Sequence, residues 1–208
     1  MRTSISFLTT TSATAPLARI PGLPHTLDVL GFDREHRTIY FAESVGAARI
    51  PVLAPDAPDS FVAGPASAST IVHVMHVDGE HAGRMIVASS QHGRDVDAIR
   101  ARLSPLDELE SDAYLLTTRV IQRRALRVPG SSPIRKFTLA LSVEPIVGDG
   151  DPRFGRAVVT AYLRAKASLD RVWLVPGTDL VLARVTYLGV PSDVGHDKQV
   201  AVLTQRAA

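Results

Sequence analysis

The chain has 208 residues, of which 45% are hydrophobic and 21% charged, and these proportions are typical of a globular protein with a buried core. Cysteine is absent, which excludes disulfides, thiolate metal ligands and cysteine nucleophiles. No apolar run reaches the roughly 18 residues that a membrane-spanning helix needs, so we expect no membrane partner and a cytoplasmic protein. The apolar stretch at residues 5–8 is too short for a signal peptide, and we expect an edge strand or a frayed arm there; the alternative is a transit-like or clipped leader, since no acidic residue precedes Asp28.

The formal net charge of +2 conceals opposite charges in the two halves of the chain. Residues 1–112 carry 14 acidic and 9 basic side chains, whereas residues 113–208 carry 7 acidic and 14 basic ones. This asymmetry indicates either a site for a polyanion in the second half or attraction between the two halves within one fold.

Short β-rich stretches dominate the first half of the chain. Residues 26–54 contain TLDVLGF, TIYFAES and RIPVLA, which predict a three-stranded meander. Residues 70–77 and 83–89 predict a hairpin, because the Asp78-Gly79 dipeptide between them is the strongest short turn signal in the chain. The short connections favour antiparallel pairing of these strands.

Three segments predict helices. Apolar residues recur at helical spacing over residues 96–103. Residues 104–107, SPLD, have the serine cap, the first-turn proline and the acidic third position of a helix start. The longest helix is predicted over residues 152–168, and we expect it to pack on one face of a sheet. Its predicted buried face consists of Phe154, Ala157, Val158, Ala161, Tyr162, Ala165 and Leu169.

A long hairpin is predicted at residues 114–128 and 134–143, around the loop sequence PGSSP. If the apolar faces of its two strands match, Leu126 lies opposite Phe137 and Arg127 lies beside Lys136. Such a pair of like charges requires an anion or a carboxylate between them. Further along the chain, RVWLVPG, DLVLARVTYLG and KQVAVLTQ predict three more strands.

The cations of this hairpin are the best candidate for a binding site. A row of cations on one sheet face suits the phosphates of a nucleic-acid backbone. However, the aromatic side chains that stack on the bases of single strands make up only 5% of the chain. We therefore favour an acidic partner from the first half of the chain or from a neighbouring subunit. The candidate residues are Arg119, Arg123, Arg127 and Lys136, which alternation places on one sheet face, together with Arg124 and Arg135 near the tip of the hairpin.

Three histidines occur in the stretch IVHVMHVDGEH, residues 71–81. A two-residue turn at the Asp-Gly dipeptide would place His76 opposite His81, whereas His73 would point to the other face. A catalytic zinc ion normally needs three protein ligands, so His76 and His81 are weak metal candidates and no metal is expected. Ser90 is a weak candidate nucleophile, because it equally suits a helix cap.

These patterns predict a single α+β domain over residues 1–208, with a subdivision considered near residues 104–112. We expect a mostly antiparallel sheet of about nine strands with two or three helices, one of them packed on a sheet face. The leading functional interpretation is a non-enzymatic binding or assembly module that contacts a protein partner or copies of itself. The alternatives are nucleic-acid binding through residues 114–143 and an enzyme with a histidine-containing site. No cofactor is expected.

Overall fold

The computed structural model describes residues 25–45, 70–91, 93–127, 133–148, 153–190 and 196–207. Within these ranges the chain forms eleven strands, one α-helix and one 3-10 turn. No helix in the described ranges is long and apolar enough to cross a bilayer. The elements in chain order are β1 (His25–Asp33), β2 (Thr38–Val45), β3 (Thr70–His76), β4 (Met85–Gln91), α1 (Gly93–Arg100), β5 (Asp107–Leu109), the 3-10 turn (Ser111–Ala113), β6 (Tyr114–Leu126), β7 (Ile134–Pro145), β8 (Arg156–Tyr162), β9 (Ala167–Leu174), β10 (Leu180–Val190) and β11 (His196–Gln205).

The prediction of an α+β fold is wrong, because the structure is almost entirely antiparallel β-sheet. One sheet has eight strands in the order β4-β3-β2-β1-β11-β10-β9-β5, and the other has three in the order β6-β7-β8. Among the described strands only β1 and β11 pair in parallel, through His25 and Lys198. The strands of residues 25–45, 70–91 and 171–205 were predicted correctly as β-rich. The error lies in the helices predicted from residues 104 and 152.

Strand β10 is buried on both of its faces. Val181, Leu182 and Ala183 are consecutive in this strand, and all three are 0% exposed. Val181 and Ala183 pack in a core cluster with β7 and β8, whereas Leu182 packs in a second cluster with β1, β2 and β3. Because successive side chains of a strand point to opposite faces, β9, β10 and β11 form the middle of three layers. Each such buried Val or Leu side chain contributes about 1.5–3 kcal/mol to the free energy of folding.

Strands β1 and β11 of the eight-stranded sheet pair through one residue pair, His25 with Lys198. Beyond the pair His25–Lys198, side chains replace the missing ladder bonds of β1. The side-chain oxygen of Gln199 accepts a hydrogen bond from the Leu27 amide at 2.8 Å, and Nη1 of Arg184 donates to the Leu27 carbonyl at 3.0 Å. Since buried backbone groups need partners, these two bonds allow β1–β3 to share one core cluster with β9–β11.

The predicted helix at residues 152–168 is wrong, because this segment forms β8 and the start of β9. Val159 and Ala161 are buried, whereas Val158 is 63% exposed, as alternation along a strand requires. The sequence RAVVTAY satisfies helical and strand spacing alike, and pairing with β7 selects the strand. The predicted start of the helix at residues 151–152 lies outside the described residues.

A second predicted helix, beginning at residues 104–107, is also wrong. The amide and the carbonyl of Ser104 exchange hydrogen bonds with Phe32 at 3.0 and 2.8 Å, and β5 then pairs with β9. In contrast, a short helix expected over residues 96–103 is present as α1, although it begins at Gly93 and ends at Arg100. Val96 of this helix is buried against β1, β2 and β3 on the side away from the middle layer.

The hairpin of β3 and β4 is confirmed, but its connection is longer than the predicted two-residue turn. The last strand pair is Met75 with Met85. Gly79 and Gly83 both have positive φ, +77° and +74°, so the chain turns twice between the strands. The first two strands of the predicted meander are β1 and β2, and its third, RIPVLA at residues 49–54, lies outside the described residues.

Candidate functional site

The register of β6 and β7 differs from the predicted one. Leu126 lies opposite Ile134 rather than Phe137. A β-bulge between Val120 and Gln122 shifts the register by one residue, which is only part of the difference, because the residue opposite Leu126 lies three residues from its predicted partner. A bulge inserts one residue that has no partner on the neighbouring strand. Odd-numbered residues of β6 that point outward before the bulge, such as Arg119, are therefore followed after it by odd-numbered residues that point inward, such as Arg123.

This bulge decides which cations share a face. Arg119, before the bulge, lies opposite Ala140, and Arg124, after it, lies opposite Lys136. Residues opposite each other in an antiparallel pair point to the same side. The outward side of β7 carries Lys136 and Ala140, since the intervening Leu139 is 0% exposed. Arg119, Arg124 and Lys136 therefore lie together on the outer face of the three-stranded sheet.

Strand β8 adds a fourth cation to this face. Arg156 lies opposite Ser142, which has the same orientation as Ala140 on β7. We call the four residues Arg119, Arg124, Lys136 and Arg156 the basic face. Neutral polar side chains lie between the cations and belong to the same face: Gln122, Thr138, Ser142 and Thr160. The sequence could have revealed Arg156, because it alternates correctly with Val158 and Thr160, but the helical interpretation of this segment hid it.

The other three predicted cations lie elsewhere on the hairpin. Arg123 is opposite Phe137 on the inner side, and its guanidinium lies 5.4 Å from the centre of the Phe137 ring. Arg135 is opposite Ala125 on that same side. Arg127 is exposed and follows the end of β6. The predicted contact of Arg127 with Lys136 is therefore wrong, and Arg124 takes the place beside Lys136.

The cations of the basic face form no ion pair in the described part of the chain, although Glu144 lies on the same side of β7 and accepts a hydrogen bond from Ser142 Oγ at 2.6 Å. The guanidinium nitrogens of Arg124 lie 2.9 and 3.2 Å from the side-chain amide of Gln122. Carboxylates of the acidic first half pair with other groups: Asp28 with Arg100, Asp33 with His36, Glu43 with His73, Asp78 with Arg37 and Glu108 with Arg171. Within the described residues, the acidic half therefore does not neutralise the hairpin as expected.

Like charges on adjacent strands make this face receptive to an anion. Arg124 and Lys136 are directly opposite each other, and such a pair destabilises the sheet. An anion placed between them removes that repulsion. Because Arg119, Arg124 and Arg156 are exposed, the face presents its charge to solvent without a conformational change.

The two histidines considered as metal ligands do not face each other. His76 Nδ1 lies 3.0 Å from Thr38 Oγ1, and His81 is exposed in the connection between β3 and β4. The longer connection separates them, and the predicted pairing of His76 with His81 is wrong. Among the residues that the structure describes, no group of three His, Asp or Glu side chains could hold a metal ion.

A different histidine, His73, forms a polar pair that the sequence reading missed. His73 Nε2 lies 2.8 Å from Glu43 Oε2, and their side chains are 9% and 17% exposed. Lys198 Nζ is 4.0 Å from the other oxygen of Glu43. Burial and the nearby charge of Glu43 raise the pKa of the Tyr187 phenol. The sequence does contain a sign of this pair. Alternation in TIYFAES places the Glu43 carboxylate on the apolar face of β2 with Ile39 and Phe41.

This His73–Glu43 pair has the character of a structural contact. Each partner satisfies the other in a buried place, which is the usual arrangement of buried polar groups. The side chain of Ser90, the predicted candidate nucleophile, lies outside the described residues. The basic face is therefore the stronger candidate site.

Comparison of the chain with models of protein families, with curated proteins and with solved structures gave no match. The function of this chain is therefore inferred from the geometry and chemistry of its own residues.

Proposed function

We propose that the chain is a non-enzymatic binding module that holds the phosphate backbone of a nucleic acid on the basic face. The observation that carries this proposal is the set of four cations on one sheet face that form no ion pair in the described residues. Lys and Arg side chains that neutralise phosphates release condensed counterions, and this release supplies affinity for any sequence.

The neutral residues of the face support the same proposal. Hydroxyl and amide groups hydrogen-bond to phosphate and sugar oxygens and set the orientation of a bound strand. Thr138 and Thr160 are directly opposite each other, with Gln122 on the other side of Thr138. These three residues form a cross-strand row between the row of Arg124 and Lys136 and the row of Arg119 and Ala140. Their hydroxyl and amide groups therefore offer hydrogen-bond donors between the cations.

The extent of the face suits several nucleotides. The rows of Lys136 and Ser142 lie about 20 Å apart at the usual rise of a strand, and a nucleic-acid strand advances about 3.4 Å per nucleotide in a duplex. Tyr162, opposite Lys136, is the one aromatic residue of this face among the described residues. We therefore expect contacts to the backbone and little discrimination between base sequences.

The test is the binding of a labelled duplex and a labelled single strand of mixed sequence, followed by fluorescence anisotropy. With about four phosphate contacts, we expect the wild-type affinity to fall about 100-fold when the salt concentration rises fourfold. Arg124→Glu combined with Lys136→Glu should weaken binding at least tenfold and reduce the dependence on salt.

The matched control changes the net charge equally at a distance from the basic face. Arg34 and Arg102 are exposed and lie in the layer of β1–β4 and α1, so Arg34→Glu combined with Arg102→Glu should retain most of the affinity. Equal losses in the two double variants would show a nonspecific effect of net charge. A wild-type protein that binds neither probe at low salt would refute the proposal.

A second candidate function is association with another protein strand along β6. This strand is an edge of the three-stranded sheet, and Leu115, Val120 and Ile121 are 57%, 41% and 53% exposed. However, the bulge and the arginines of β6 are features that protect sheet edges from pairing. Sedimentation can decide: an oligomer that dissociates in Ile121→Lys would favour protein association, including self-association, over nucleic-acid binding.

A further inference from the structure

A cavity of about 370 Å³ lies on a different part of the molecule, between β1, the segment after α1, and strands β9 and β10. Its walls include residues 28–31 of β1 and the side chains of Arg100, Leu103, Arg171 and Trp173. This volume lies within the range of small-molecule sites in proteins, about 300–1,000 Å³. None of its lining residues belongs to the basic face.

Gly31 makes the closed side of this cavity. Its φ is +150°, and a Cβ atom there would lie 2.6 Å from Cβ of Leu103 and 2.9 Å from the carbonyl oxygen of Ser104. Only glycine therefore lets the segment after α1 approach β1 so closely. The hydrogen bonds between Phe32 and Ser104 hold β1 and the segment after α1 together. This side of the cavity is therefore formed by backbone contacts within the fold.

The lining combines apolar surface with three arginines, each of which also contacts one carboxylate. Three arginines line the cavity with one carboxylate, Asp28, while the rest of the lining contains no other charged side chain. The apolar part consists of Val29, Leu30, Leu103, Pro105, Leu106 and Trp173. Apolar walls disfavour a bare inorganic ion. Guanidinium groups have N–H donors and no acceptor, so they suit a ligand that carries acceptor oxygens rather than a cation.

One of these arginines is held rigidly. Arg184 donates from Nε to Asp170 at 2.8 Å and from Nη1 to the Leu27 carbonyl at 3.0 Å, and it lies 5.3 Å from the centre of the Trp173 ring. Its side chain is only 14% exposed. A guanidinium carries five N–H donors, so Arg184 retains donors beyond these two bonds.

The other two arginines are half-exposed and weakly engaged. Arg100 Nη2 donates to Asp28 at 3.0 Å, and Arg171 Nη1 contacts Glu108 at 3.4 Å. Exposed pairs of this kind contribute little to stability. Both side chains can therefore turn toward a ligand at small cost, as two parallel N–H bonds to a carboxylate require.

We propose that this cavity binds a small organic carboxylate. The apolar body of the ligand packs against Trp173, Leu103 and Leu106, and its carboxylate accepts hydrogen bonds from Arg100 and Arg171 beside the fixed Arg184. This site is independent of the proposed nucleic-acid function, because the two involve different layers of the fold.

Trp173 allows a direct test, because it is the single tryptophan of the chain and lines the cavity. Hexanoate is the probe, and 1-hexanol and phosphate at matched ionic strength are the comparison ligands. We expect a saturable change in Trp173 emission and a higher melting temperature with hexanoate, and neither effect with phosphate. Hexanol should bind at least tenfold more weakly than hexanoate.

Two variants separate the arginines from the apolar walls. Arg100→Gln combined with Arg171→Gln should weaken hexanoate binding at least tenfold while the melting temperature without ligand stays near that of the wild type. Arg102→Gln is the matched control, since Arg102 is an exposed neighbour that does not line the cavity. Equal affinity for hexanoate and hexanol, unchanged binding by the double variant, or no saturable change in emission would each overturn the proposal.

Discussion

The variant Val159→Asp is expected to lower the free energy of unfolding by about 3–5 kcal/mol, because it buries an unpaired carboxylate. Val159 is 7% exposed and packs in the cluster between β7, β8 and the middle layer. Its neighbour Val158 is 63% exposed and points to the outer face. Val158→Asp should therefore change stability by no more than about 0.5 kcal/mol. Urea denaturation of both variants measures the difference.

This neighbouring pair distinguishes a strand from a helix at residues 156–162. In the predicted helix, Val158 belongs to the buried face and its replacement by Asp would be the damaging one. A large loss of stability in Val158→Asp together with a small loss in Val159→Asp would contradict the assignment of β8. Coincidence of circular dichroism and fluorescence transitions would establish that the two free energies are comparable.

Gly155→Ala is expected to lower the free energy of unfolding by about 3 kcal/mol. Gly155 has φ of +77°, and a Cβ atom there would lie 2.4 Å from the backbone oxygen of Val143. The backbone cannot move away easily, because the Gly155 amide donates to the Leu203 carbonyl at 2.7 Å and its carbonyl accepts from the Val143 amide at 2.7 Å. The substitution therefore combines an unfavourable φ with a collision against backbone. Urea midpoints measure the loss.

Gly79→Ala is the matched control for this effect. Gly79 has the same φ of +77°, but nothing lies within 4 Å of the position of its Cβ atom. Its replacement should cost only the strain of the positive φ, about 1–2 kcal/mol. Equal losses for the two glycines would show that the close approach of Gly155 to Val143 contributes nothing to stability.

Local patterns were enough to locate much of the sheet. Apolar and polar residues alternate along β7 in the sequence, and the apolar ones, Phe137, Leu139, Leu141 and Val143, are all buried. The three strands predicted near the C-terminus are β9, β10 and β11. Period-two alternation and turn residues act between near neighbours in the chain, so they are legible without knowledge of the fold.

The residues of the basic face could be predicted only in part from such local patterns. The sequence singled out the cations of residues 114–143, but it assigned Arg123 and Arg127 to the same face as Arg119. The bulge of β6 changes the orientation of every side chain after it. Which cations act together therefore depends on one unpaired residue, and its position is selected by the best fit of two strands to each other and to the core.

The amino-acid sequence by itself determined that this chain lacks cysteine chemistry, is rich in strands and concentrates cations in residues 114–143. Only the tertiary structure decided that residues 156–162 form a strand, since their apolar spacing suits a helix equally well and the edge of β7 selects between the two. The tertiary structure also brought Arg156 to the basic face and assembled the cavity around Trp173 from β1, β9, β10 and the segment after α1. These contacts join residues far apart in the chain, and their free energy comes from burial and pairing that no local window of sequence contains.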